Sequence, residues 1–232
     1  MACELSAEPA RVTPRRQESA DYVYAIVQGL PPRWKPPAAG VGDAPVTTRS
    51  VRDLILITSA IDTVPRPTPK TVALHDDVVS STLDADAVLP LEFGTVTAPV
   101  HADAWLTAHL AFVRVHLARL RRHVEMTVRL VSLDGADAMS APLRSTAECL
   151  VERAGLVDWR YRHDRSSGGL GSSLAFLVPR EGVGDFLARI APVAARARTI
   201  AVVPTGPCAP LSFAPALRGA LTDMSRSLAR AG

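Results

Sequence analysis

The chain has 232 residues, 47% of them apolar and 5% aromatic, and its 26 basic and 23 acidic side chains leave a net charge of +3. That length builds one large domain or two small ones, and so slight an imbalance on a mixed surface is not the field of a polyanion-binding protein. Three scattered cysteines, Cys3, Cys149 and Cys208, argue against a disulfide framework and fit a reducing cytoplasm; no run of about 18 apolar residues is present to span a membrane, and the charged start does not read as a signal peptide.

Residues 1–20 are polar and aperiodic and read as a disordered arm. Tyr22-Val23-Tyr24-Ala25-Ile26-Val27 reads as a strand from its aromatic and β-branched content. The stretch from Leu30 to Pro45 holds five prolines and reads as a loop. Leu54 to Ile57 is a buried strand, ended by Pro65, Pro67 and Pro69. Thr71 to Leu83 is a helix, and a strand follows from about Ala87 to Val96. His101 to Arg122 reads as one long helix, because Leu106, Leu110, Val113, Leu117 and Leu120 recur at steps of four and three. The period then switches to two: Val124, Met126, Val128 and Leu130 alternate with Glu125, Thr127, Arg129 and Val131, a half-buried strand.

Ser140 to Ala154 is a further helix, stopped by Gly155. Val157, Trp159, Tyr161 and His163 form the dry side of a strand whose wet side is Asp158, Arg160, Arg162 and Asp164. Ser166 to Gly171 is a turn, Leu174 to Val178 a buried returning strand. Asp185 to Arg198 is a helix that Pro192 should kink or split. Thr199 to Val203 is the last strand, and the tail after Pro215 suits an amphipathic helix. The class is α+β. From Glu125 onward the order is βαββαβ, the ferredoxin-like arrangement; the first half is a second, related α+β unit. The expected organisation is an arm (1–20), an N-terminal domain (21–123), a C-terminal ferredoxin-like domain (124–213) and a tail (214–232).

Few residues carry chemistry. His109, His116 and His123 lie seven apart, about 10 Å along a helix axis, too far for one ion with ligands about 2 Å away. Asp76, Asp77, Asp84 and Asp86 have no partner nucleophile or His and read as a solvated helix face. The Gly/Ser run Ser166 to Ser173 precedes a strand, whereas a phosphate loop needs a helix N-terminus behind it, so it reads as a hairpin loop. Arg114, Arg119, Arg121 and Arg122 complement the C-terminal dipole of the long helix. Trp159 and Tyr161 read as core rather than as a base-stacking surface. The residues point to no catalytic, cofactor or metal site.

Two segments stand out as strand patterns broken by Gly and Pro: Val88-Leu89-Pro90-Leu91-Glu92-Phe93-Gly94-Thr95-Val96 and Thr205-Gly206-Pro207-Cys208-Ala209-Pro210-Leu211-Ser212-Phe213. With Tyr22-Val23-Tyr24-Ala25-Ile26, with His75 at the start of the helix before the first segment, with Leu117 to Val131, and with Ala175-Phe176-Leu177-Val178, they resemble in order and spacing the gas vesicle protein family GvpL/GvpF. The resemblance runs from Tyr22 to Phe213. The departures are Glu92 where the family carries a basic residue, Cys208 and Leu211 where it carries Trp and Tyr, Ser173-Leu174 where an Asn is common, a missing G-R-x-Y-L stretch, and a shortened Asp134 to Leu143. Together they suggest a diverged member.

The resemblance implies an accessory or minor structural protein of gas vesicle formation. It would be cytoplasmic and vesicle-associated, not an enzyme, and would bind the hydrophobic shell protein GvpA, with other gas vesicle accessory proteins as further candidate partners. Pro90, Phe93, Pro207, Pro210 and Phe213 are the expected partner contacts, because prolines at strand edges and exits leave backbone groups for a neighbour. No nucleic acid and no membrane span are expected. The competing reading is a ferredoxin-like small-molecule or RNA-binding module without catalysis.

Overall fold

The computed structural model describes residues 20–135, 140–164 and 171–217, together with 219 and 221. The expected arm lies outside them except for Ala20, as do residues 136–139 of the 134–143 segment, nearly all of the Ser166 loop and all but a few residues of the tail. Two antiparallel sheets organise the rest. The first has the order β2-β3-β1-β4 (β1 Ala20–Gln28, β2 Thr47–Val51, β3 Leu54–Ile61, β4 Ala87–Pro90), and the short β5 (Val96–Thr97) continues beyond β4 along β1. The central strand β1 is buried from Asp21 to Val27, because both faces are covered. Tyr22, Tyr24 and Val27 pack under helix α1 (Pro69–Ser80), and Val23 and Ile26 pack under α2 (Pro99–Ala108) and α3 (Leu110–Leu120). Helix α1 begins at a reciprocal cap between Thr68 and Thr71, with Pro69 in the first turn, where its missing N–H costs nothing.

The second sheet has the order β7-β8-β6-β9 (β6 His123–Ser132, β7 Trp159–Asp164, β8 Gly171–Pro179, β9 Ile200–Cys208), again all antiparallel. Helices α4 (Ala141–Ala154) and α5 (Val183–Arg196) cover one face over Val128, Leu130, Leu174 and Phe176. On the opposite face Ala175 and Leu177 join a core shared with the first sheet, which contains Leu89, Leu91, Val113, Leu117, Leu120, Phe213, Leu217 and Leu221. Helix α3 and the exit from β9 therefore fill the space between the two sheets. Arg119 pairs with Asp158, Arg122 with Glu181, and Arg180 donates to the carbonyl of Ala85 at 2.7 Å. Arg119 and Arg122 at the basic end of α3, and Arg180 after β8, thus link the two halves, while Arg114 and Arg121 pair with Asp53 and Asp86 within the first; the exposed pairs among them contribute little apiece.

Several sequence expectations change. The helix over 101–122 is two helices: His109 leaves helical geometry (φ −108°, ψ 18°), its ring stacks on Trp105 at 4.6 Å and its Nδ1 donates to the Trp105 carbonyl. The apolar stripe survives the break because Leu106, Val113, Leu117 and Leu120 all stay buried. His123 opens β6 and His109 lies at the break between α2 and α3, so the three histidines do not lie along one helix. The strand expected over 87–96 ends at Pro90 and resumes at Val96 after a turn at Gly94 (φ +81°). Pro192 sits on the exposed face of a continuous α5. The last strand runs on to Cys208, tolerating Pro204 and Pro207 because β9 is an edge strand. The polar edge strand β2 has no apolar pattern to announce it. Trp159 and Tyr161, expected in the core, are each 38% exposed at the outer strand β7.

Candidate functional site

The two singled-out segments meet. A cleft of about 230 Å³ opens between α1 and the exit from β9, lined by His75, Asp76 and Val79 of α1, Pro90 and Leu91, Glu125 of β6, Arg162 of β7, and Cys208, Ala209, Leu211 and Ser212. Each wall has an identifiable cause.

The α1 wall is set by a buried polar chain. The Gly94 N–H donates to the Tyr22 hydroxyl at 3.0 Å, which stands 2.9 Å from His75 Nδ1. The Leu91 backbone close to the ring favours its protonated form. His75 is 3% exposed, and burial pushes its pKa down to about 4 against the pull of the Leu91 backbone. It lies in the middle of α1, not at its start. Phe93 packs edge-on against both Tyr22 and His75, at 6.0 and 5.8 Å. The turn after Pro90 is thereby held to α1 and β1. Replacing Gly94 with Val places a β-branched side chain at φ +81°, and the melting midpoint should fall by the equivalent of roughly 1–3 kcal/mol; an unchanged midpoint would refute this.

The opposite wall hangs on Glu125. Its strand alternation puts it on the side expected to be wet, yet it is 7% exposed. Its carboxylate accepts the Ser212 N–H at 2.8 Å and the Ser212 hydroxyl at 2.6 Å, from a residue 87 positions away in sequence. Cys208 Sγ donates to the Glu125 carbonyl at 3.3 Å, and burial, with Glu125 and Asp76 adding to it, pushes that thiol up to about 11. A thiol so placed stays protonated and unreactive at neutral pH. Glu125→Gln keeps one acceptor but loses the charge-assisted character of both bonds, so it should destabilise by about 1–2 kcal/mol. Native-state hydrogen exchange at the Ser212 amide should then speed up, and an unchanged rate would show that the carboxylate does not hold the exit.

The proposed contact residues scatter in depth. Pro90 lines the cleft but is buried; Phe93 lies half-buried behind His75; Pro207 is exposed on the β9 edge; Pro210 is buried; Phe213 is 3% exposed beneath the guanidinium of Arg160, 5.3 Å from the ring centroid. Pro90 therefore belongs to the cleft lining, whereas Pro210 and Phe213 are buried and lie outside that lining. Sequence reasoning missed Glu125, Ser212, Arg162 and Asp76. Burial, followed by the neighbouring Asp77, raises the Asp76 pKa. Among the described residues no set of three His, Cys, Asp or Glu could hold a metal ion, and no helix is long and apolar enough to cross a membrane.

The sequence profile described as "Gas vesicle synthesis protein GvpL/GvpF" matches residues 20–155, and the chain belongs to that family. Two solved structures share its fold. Gas vesicle protein GvpF from Anabaena sp. PCC7120 is 15% identical, with a TM-score of 0.72 over 85% of this chain and 96% of that one. GvpF from Microcystis aeruginosa is 14% identical, with a TM-score of 0.71 over 84% and 99%. No curated protein matches the sequence. The chain is thus a gas vesicle protein of α+β fold.

Proposed function

We propose that this chain is a non-enzymatic accessory or minor structural protein of gas vesicle formation, acting in the cytoplasm, and that it binds the shell protein GvpA at the cleft between α1 and the β9 exit. One observation carries the reading. Two segments more than a hundred residues apart in sequence, each broken by Pro and Gly, converge on one concave surface whose rim holds the 40% exposed Leu211. A chain whose subunits aggregate through apolar surface needs a partner that covers that surface before assembly, and a cleft with an apolar rim suits this. We take the two sheets as two domains, 21–123 and a ferredoxin-like 124–213, so that the cleft lies at their boundary, where binding sites favour forming.

The RNA-binding alternative is disfavoured by sidedness. Trp159 stands directly opposite Phe176 and Tyr161 opposite Leu174, so both aromatics share the face that α4 and α5 cover. A stacking platform needs them on the open face. The test is co-expression with the shell protein of the same organism and capture through a tag on this chain. Wild type should retain shell protein, and Leu211→Asp should retain markedly less while staying folded. A folded wild type that captures none rejects the reading.

A further inference from the structure

We propose that the cleft seats one apolar side chain of an extended shell-protein segment, and that Arg162 pairs with an acidic residue beside that side chain. This rests on the shell-protein reading above and adds the chemistry by which the segment is recognised.

Size comes first. Pockets for cofactors and metabolites usually span about 300–1,000 Å³. At about 230 Å³ this cleft is smaller, and fits a side-chain anchor of the kind that dominates protein interfaces. Its apolar lining is Val79, Pro90, Leu91 and Leu211, with Leu211 half out of the surface.

Charge comes second. Among the described residues, Arg119, Arg121 and Arg122 near the domain boundary are used in ion pairs, Arg160 over Phe213 and Arg180 on the Ala85 carbonyl. Arg162 is exposed on the cleft and makes no hydrogen bond or ion pair with any described residue. Of the two carboxylates in the same lining, Glu125 is committed to Ser212. Asp76 belongs to the opposite, α1 wall and is not paired with Arg162. A guanidinium without a partner among the described residues, at the edge of a cleft of mixed apolar and polar lining, complements a carboxylate on the incoming chain, and its planar fork favours bidentate pairing. An acidic group on the segment also gives the encounter its orientation, since Asp76 on the far wall repels the reversed one.

The test uses the full chain co-expressed with shell protein, and reads the ratio of captured shell protein to bait. Arg162→Glu should lower that ratio about tenfold while the melting midpoint stays put, because the side chain is exposed. Arg162→Lys should keep most of the binding. Arg66→Glu, the same charge change at an exposed site away from the cleft, should bind as wild type does. Replacing the acidic residues of the shell protein one at a time by Lys should find a position that restores capture by Arg162→Glu. Wild-type capture by Arg162→Glu, equal losses in Arg66→Glu, or no restoring position would overturn the inference and leave the shell-protein reading standing. Absence of capture by folded wild type would end both.

Discussion

Replacing Phe213 with Ala is expected to lower stability by about 3–5 kcal/mol, the usual cost of removing a fully buried aromatic ring. The residue is near the end of the described chain, on a 3-10 turn after a run of exposed strand. Position alone would mark it as dispensable. Its ring nevertheless belongs to the core that holds Leu89, Leu91, Leu117, Ala175 and Leu177 together, so its loss opens a cavity between the two sheets. Arg160 stacks over the ring and would lose that contact as well. Chemical denaturation monitored by tryptophan fluorescence gives the number. A loss under 1 kcal/mol would mean that the exit segment is merely laid on the surface, and that the cleft has no fixed second wall.

The second large effect is on acid stability. His75 is neutral and buried, with its pKa lowered to about 4 by burial, against an ordinary value of 6.5. Between those values the unfolded chain binds a proton that the folded chain refuses. Stability from this residue is therefore fully present above pH 6.5 and is lost as the pH falls toward 4, by about 3 kcal/mol in all. His116 is shifted in the same direction by burial and by Arg119, so the wild-type curve alone does not isolate the residue. The comparison that does is wild type against His75→Gln. The variant is less stable at pH 7 and has a flatter slope between pH 6.5 and 4.5. Equal slopes would show that His75 titrates like an exposed imidazole. In the same experiment, the imidazole resonances of His75 should stay those of the neutral ring at pH 5.5.

How far the sequence could be read depended on the distance over which each feature is determined. The stripe Leu106, Leu110, Val113, Leu117 and Leu120 and the alternation Val124, Met126, Val128 and Leu130 are local patterns, and both face the core, Leu110 only partly buried. The α+β class and the family resemblance followed from such segments. The break at His109 was not legible, because it depends on how one ring stacks on Trp105. Edge strand β2, Thr47–Val51, is polar up to its buried end at Val51 and so carries no periodic signal. Trp159 and Tyr161 alternate correctly onto one face, but periodicity does not say that β7 is the outer strand. The site was the least legible part. Glu125 looked solvated because the segment that covers it returns 87 residues later. Phe213 looked like a contact because its burial depends on α3 and on β8, which are remote from it in sequence.

The central claim is that the meeting of Pro90-Leu91 with the β9 exit forms the surface on which the shell protein docks. Hydrogen–deuterium exchange of the full chain, with and without bound shell protein, addresses it most directly. The account predicts slower exchange on binding in α1 around Asp76, in 88–94, in β7 near Arg162 and in 208–212, with α4 and α5 unchanged. Protection confined to α4 and α5, or to the β2 edge, with none at 208–212, would contradict it.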